Sequence, residues 1–191
     1  MKINSKIRNA SNALSRKHHT RRVMHSSNSV NWSTPDWLFE GLDRLFKFSL
    51  DPCSSHSNAK CRFHYTVDEN GLSFSWKGHV VWLNPPYCSS IGDWMEKAIL
   101  ESQNAGTTVV CLIPSRTGSR WFQKCVLNAP DKIVFFLRGR LSFGSVGTPA
   151  PFDSVLVIYP GKGAAVPTPE EIQDSIFAGI PRQELSLERV S

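Results

Sequence analysis

The chain has 191 residues and a formal net charge of +6, enough length for one domain with a real core plus tails. No apolar run approaches the roughly 18 residues of a membrane span, which excludes a bilayer-spanning helix and a membrane partner. Its five cysteines are odd in number and lack paired CxxC spacing, which argues against a disulfide framework and for a reducing, cytosolic setting.

The positive charge is concentrated at one end. Residues 1–31 carry seven Lys/Arg (Lys2, Lys6, Arg8, Arg16, Lys17, Arg21, Arg22) and no acid, leaving 15 of the 22 basic residues against all 16 acids in the remainder. The arm is thus +7 and the body −1. Rich in Ser and Asn and without an apolar period, residues 1–31 read as a disordered basic arm for nucleic acid. A solubilising tail, a transit peptide or a true start at Met24 are the alternatives.

At Thr34-Pro35-Asp36 a helix is expected, with Thr34 as N-cap and Pro35 at the first helical position. Trp37, Leu38, Leu42, Leu45 and Phe46 then share one face. Phe46–Leu50 reads as a strand ending in Asp51-Pro52-Cys53, and Phe63–Thr66 as a short edge strand. Asn70-Gly71-Leu72 turns the chain into the apolar run Val80–Leu83.

That run ends on Asn84-Pro85-Pro86-Tyr87. Neither proline has an N–H to donate, so the strand cannot continue its ladder, and each proline holds the residue before it in the extended region. The product is a rigid edge that presents an amide side chain, a fixed carbonyl and an aromatic ring. These groups suit methylation of a nucleobase amine. The amine is a poor nucleophile because its lone pair is delocalised, and the Asn84 oxygen and Pro85 carbonyl could draw its two hydrogens out of the ring plane. Tyr87 would stack on the base, flipped out of the duplex. No metal is needed.

Beyond the edge, Ser90 can cap a helix carrying Ile91, Trp94, Met95, Ala98 and Ile99, ended near Gly106. Thr107–Ile113 is a near-continuous apolar run, the pattern of a strand buried on both faces. The loop Pro114–Arg120 leads into a helix with Trp121, Phe122, Cys125 and Val126. Lys132–Leu137 and Ser154–Tyr159 read as strands whose connection leaves no room for a crossover helix, so this last pair should be antiparallel. Thr168-Pro169-Glu170-Glu171 opens one more helix with capping-box spacing.

The colinear set Trp32-Ser33-Thr34-Pro35, Leu50-Asp51-Pro52-Cys53, Asn58-Ala59-Lys60-Cys61, Asn70-Gly71-Leu72, Trp82–Tyr87, Pro114-Ser115-Arg116-Thr117, Trp121-Phe122, Gly139-Arg140 and Pro151-Phe152 resembles the phage-type, Dam-like DNA N6-adenine methyltransferases of phages and prophages. The resemblance implies an α/β fold: a small class I S-adenosylmethionine-dependent sheet, mostly parallel, with an antiparallel final hairpin and a trimmed middle. It divides the chain into the arm 1–31, a methyltransferase domain 32–160 and a tail 161–191 with one short helix. It implies catalytic Asn84, Pro85, Pro86 and Tyr87. The cofactor S-adenosylmethionine would meet Trp32, Thr34, Pro35, Asp51, Pro52, Cys53 and Asn70. The partner is double-stranded DNA, and the protein would act as a monomer in the cytoplasm of a bacterial host cell. Asn70 stands where the family often has an Asp, and Ser54–Ser57 replaces the Gly-rich turn of many methyltransferases. Asp68 and Glu69 are the nearby candidates for the cofactor ribose.

Arg116, Arg120, Arg138 and Arg140 follow strands on the side of the Asn84 edge and are expected to contact DNA. Within the same chemistry, a cytosine-N4, RNA or protein-glutamine methyltransferase is an alternative. A rival constellation, Cys53, His56, Cys61 and His64, has ligand types that suit zinc and would make a non-catalytic DNA-binding module.

Overall fold

The computed structural model describes residues 32–144 and 149–180; the arm expected over residues 1–31 lies outside them. Helix α1, Asp36–Phe46, starts one residue later than the sequence suggests: Pro35 is its N-cap, in an extended conformation. The Thr34 cap does not form, because that hydroxyl has another partner. The strand expected over Phe46–Leu50 shrinks to β1, Leu50–Asp51. Phe46 remains helical, Lys47 ends the helix at φ 56°, and Asp43 Oδ1 accepts from Phe48 N at 2.7 Å.

Strand β2 is the pair Phe63–His64, and a 3₁₀ turn, Gly71–Ser73, precedes β3, Val80–Leu83. Between β1 and β3 the described residues include no α-helix, in keeping with a trimmed middle. Helix α2, Ile91–Ser102, joins β3 to β4, Thr108–Pro114. Ser90 gives α2 no side-chain cap; its hydroxyl pairs with Cys88 Sγ instead. After β4 a single α-helical turn, α3 (Arg120–Phe122), passes into a π-helical turn, Gln123–Leu127. Strands β5, Ile133–Phe136, and β6, Ser154–Tyr159, complete the sheet, followed by α4, Pro169–Gly179.

The six strands lie in the order β2-β1-β3-β4-β6-β5. The first four are mutually parallel, and β6 runs antiparallel to both β4 and β5. The expected antiparallel final hairpin is therefore present. All residues of β4 and β6 are buried, as their unbroken apolar sequences require of strands covered on both faces.

Helix α2 and the π turn cover one face, where Trp76, Trp94, Met95, Phe122 and Cys125 pack on Val81, Leu83 and Cys111. Helices α1 and α4 cover the other, with Leu38, Leu42, Ile172 and Ile176 packed on Trp82, Val110 and Leu112. α4 opens with the expected capping box: Thr168 Oγ1 accepts from Glu171 N, and Glu171 Oε2 accepts from Thr168 N. It is fastened to α1 by Ser175 Oγ, which donates to the Gly41 carbonyl at 2.5 Å. Among the described residues no helix is long and apolar enough to cross a membrane.

Candidate active site

Parallel strands deliver their carboxyl ends to one edge, the usual place for a ligand crevice in an open α/β sheet. Asn84 sits at that edge, half-buried after β3. Its Nδ2 donates to the Trp32 carbonyl at 2.6 Å and to Thr34 Oγ1 at 3.1 Å. A peptide carbonyl only accepts, so this contact fixes which end of the amide is nitrogen. Asn84 Oδ1 is left buried and without a partner. Nearby, the Pro86 carbonyl accepts from Cys88 N, while the Pro85 carbonyl takes part in none of the backbone bonds among the described residues.

Tyr87 is tied down at both ends. Its hydroxyl donates to the Leu112 carbonyl at 3.2 Å, bridging β3 to β4. Its ring lies nearly parallel to Trp32, with centroids 6.5 Å apart, and edge-on to Phe143 and Phe152 at 6.2 and 5.4 Å. Trp32 meets the same two phenylalanines edge-on, so the four rings form a box. Burial holds the Tyr87 phenol well above its ordinary pKa, so it stays neutral.

The β1 end of the edge is built around Asp51, which is 4% exposed. Its Oδ1 accepts from Cys53 N at 3.4 Å and its Oδ2 from Lys60 N at 3.0 Å, closing the loop that leaves β1. Desolvation raises its pKa, opposed by those two N–H groups and by the nearby His64. Cys53 Sγ donates to the Asn84 carbonyl at 3.1 Å and so joins the two ends of the edge. Burial, with Asp51 beside it, keeps this thiol protonated.

Asn70 stands in the left-handed region at φ 60° and donates through Nδ2 to Ser73 Oγ at 2.9 Å. Among the described residues its Oδ1 is buried without a partner, whereas the Ser54 side chain leans on Asp51 and helps to lower its pKa. Gly71 follows because there is no room for more: a Cβ there would lie 2.0 Å from the Pro52 carbonyl. Trp76 Nε1 donates to the Gly71 carbonyl at 3.0 Å and fixes this turn against the core.

The structure thus brings Trp32, Thr34, Asn84 and Tyr87 into one cluster and Asp51, Pro52, Cys53 and Asn70 into another, bridged by the Cys53–Asn84 bond. Pro35 is buried at the start of α1. Of the two ribose candidates, Glu69 holds the turn Thr66–Glu69 by accepting from Thr66 N and Oγ1, which lowers its pKa, and Asp68 is exposed. Arg116, Arg120, Arg138 and Arg140 are all exposed.

The zinc constellation does not converge. His56 Nδ1 and His64 Nε2 pair with each other at 2.9 Å, while Cys53 turns to Asn84. Burial pushes the Cys61 thiol up to about 12. Among the described residues no group of three or more His, Cys, Asp or Glu could hold a metal. Sequence reading assigned no role to Phe143, Phe152 or Ser54, although Pro151-Phe152 stood among the family-like stretches. The aromatic pair comes from beyond β5, more than fifty residues after Tyr87, and only the folded sheet brings them there.

The chain is similar in sequence to known proteins. Residues 22–156 match the family model described as DNA N-6-adenine-methyltransferase (Dam). The chain is 35% identical over 126 residues to the DNA N-6-adenine-methyltransferase of Haemophilus phage HP1 (strain HP1c1), a stretch that covers 65% of this chain and 72% of the relative. It is 34% identical over 104 residues to the protein of the same description from Escherichia phage T1, covering 53% and 43%.

Proposed function

Given that the chain belongs to the DNA N-6-adenine-methyltransferase (Dam) family, an enzyme family, we propose that it transfers a methyl group from S-adenosylmethionine to N6 of adenine in double-stranded DNA. The observation that carries this reading is the orientation of Asn84. Two acceptors hold its nitrogen, and its buried oxygen is left unpaired at the mouth of the sheet edge. An orphaned buried acceptor costs about 1–3 kcal/mol unless a ligand donor meets it, and an adenine amine is such a donor.

S-adenosylmethionine, when bound, supplies an electrophilic methyl group. The chain supplies everything around the amine. Asn84 Oδ1 and the Pro85 carbonyl accept its two hydrogens and turn the nitrogen toward tetrahedral geometry, freeing the lone pair to attack. Pro86 stiffens the edge, and Tyr87 offers its ring to the flipped base. Positive charge that grows on the nitrogen meets two preorganised oxygens. The surplus proton leaves for solvent, since neither an amide nor a peptide carbonyl is basic enough to keep it.

The residues at the β1 end fit the donor. Asp51, Pro52 and Cys53 would hold its methionine end, with the Asp51 carboxylate still offering lone pairs to an ammonium. Asn70 Oδ1, buried and unpaired among the described residues, is an acceptor that a polar ligand would satisfy; Asn70 would accept from the adenine of the donor. Trp32, Thr34 and Pro35 would pack beside the methionine end. The mostly parallel strand order with a reversed β6 supports a class I sheet. Arg116, Arg120, Arg138 and Arg140 would meet phosphates.

Nucleoside mass spectrometry of unmethylated DNA treated with protein and S-adenosylmethionine tests the reading. N6-methyladenine is expected. N4-methylcytosine alone, or no methylated base from folded protein that binds the donor, contradicts it.

A further inference from the structure

A pocket of about 300 Å³ opens beside the Asn84 edge, lined by Tyr87, Cys88, Ile91, Pro114, Arg116 and Trp121. Its size is at the lower end of the roughly 300–1,000 Å³ found for small-ligand sites. Neither Asn84 nor Pro85 lines it, so an amine held by those two oxygens is not gripped from inside it.

The pocket has two kinds of wall. One is flat and apolar: Tyr87, Ile91, Pro114 and the half-buried indole of Trp121. That indole is placed by Phe122, edge-on at 5.4 Å, and by Gly92, whose missing side chain leaves room: a Cβ there would lie 3.3 Å from Trp121 Cβ. The other is Arg116, exposed at the mouth and in no ion pair among the described residues.

The loop that carries Arg116 is firmly held. Ser115 N donates to the Asp153 carbonyl and Arg116 N to the Pro114 carbonyl, at 2.9 and 2.8 Å. Ser119 donates to the Arg116 carbonyl through both N and Oγ, and Gln123 Nε2 donates to the Thr117 carbonyl at 2.7 Å. A cation carried on a held loop at the rim of an aromatic slot matches a nucleotide: base against the indole, phosphate on the guanidinium.

Resting on the function proposed above, we propose that this pocket takes the nucleotide next to the flipped adenine, with its base on Trp121 and its phosphate on Arg116. Trp121 and Arg116 are then determinants of DNA affinity and of the flanking base that the enzyme prefers. The target amine stays on the far side of Tyr87, against Asn84 and Pro85.

The test uses the full chain and a duplex pool with randomised bases around a central adenine. For wild type, Trp121→Ala, Trp121→Phe and Arg116→Gln, three quantities are measured: affinity for the pool by anisotropy, the flanking sequences of the methylated products, and S-adenosylmethionine affinity. Trp121→Ala should weaken DNA binding about tenfold, the loss of one base–aromatic stack, and flatten the preference at one flanking position. Trp121→Phe should keep both, and Arg116→Gln should lower the slope of log affinity against log salt by about 1. S-adenosylmethionine affinity should not change in any of them. Wild-type affinity and flanking profile in Trp121→Ala overturn the proposal, and so does a wild-type salt slope in Arg116→Gln. Failure of the wild type to make N6-methyladenine sinks the proposed function instead, while the anisotropy arm still decides whether the pocket takes DNA.

Discussion

The Asn84 amide has two donor positions and two acceptor positions, and the donors are occupied by Trp32 and Thr34. The catalytic role proposed for it rests on that asymmetry: an amide free to rotate would present nitrogen as often as oxygen to a substrate amine. Thr34→Val removes one of the two anchors from a residue that is 5% exposed. It should lower turnover about tenfold, the effect of one lost hydrogen bond on the order of 1 kcal/mol, and Thr34→Ser should restore it. Donor affinity should fall less than turnover, which a titration with S-adenosylmethionine would check. Tyr87→Phe makes the complementary case. It deletes a hydroxyl that bonds Leu112 but keeps the ring, so it should cost about 1 kcal/mol of stability in urea melts and leave turnover near normal. Because burial holds the phenol neutral, Tyr87 should contribute no limb to the rate–pH profile through the neutral range. Asn84 and Tyr87 were legible in the sequence because the two prolines impose their geometry locally. The roles of Trp32 and Thr34 were not, since they depend on a contact across some fifty residues that only folding creates. Thr34 read as a helix cap, a reading any Thr-Pro-Asp invites, and the tertiary partner won.

Among the elements, order and type were more legible than limits. Phe46, Phe48 and Leu50 alternate with period two, which is why the stretch reads as a strand. Phe46 also completes the apolar face of α1, and the helix keeps it. Lys47 in the left-handed region and the Asp43–Phe48 bond then end the helix, and Phe48 packs on Phe39 and Trp82 rather than in a ladder. The buried runs of β4 and β6 were legible because nothing polar interrupts them. The capping box of α4 was legible for the reason Thr34 was not: its partners lie three residues apart. What no local pattern announced is how deeply α4 enters the core. Ile172 is fully buried against the face that α1 shares, and α1 in turn follows directly on the Trp32–Pro35 segment that orients Asn84. Ile172→Ala should therefore cost about 2–5 kcal/mol in a denaturant titration. Thr168→Ala, at the exposed cap of the same helix, should cost about 1 kcal/mol.

Over the whole molecule, charge and chemistry are separated. The +7 of residues 1–31 faces a body of −1, and the proposed catalytic edge lies in the body. Deleting residues 1–28 should lower the salt slope of DNA binding by a few units, below the ceiling of roughly 6 set by seven phosphate contacts at about 0.9 each. Turnover at saturating DNA should survive, and a salt titration of both proteins on one duplex would show it. Within the body, the sheet edge falls into two halves joined by the Cys53–Asn84 bond: the β1 end around Asp51 and Asn70, proposed for the donor, and the β3 end around Asn84 and Tyr87, proposed for the base. The measurement that tests this division most directly pairs S-adenosylmethionine titration with single-turnover methyl transfer in Asn84→Ala and Asp51→Ala. Asn84→Ala should bind the donor as wild type does and lose about a hundredfold or more in rate, whereas Asp51→Ala should lose donor binding first. Near-normal transfer by Asn84→Ala, with the donor bound, would contradict the division and the role of the orphaned oxygen with it.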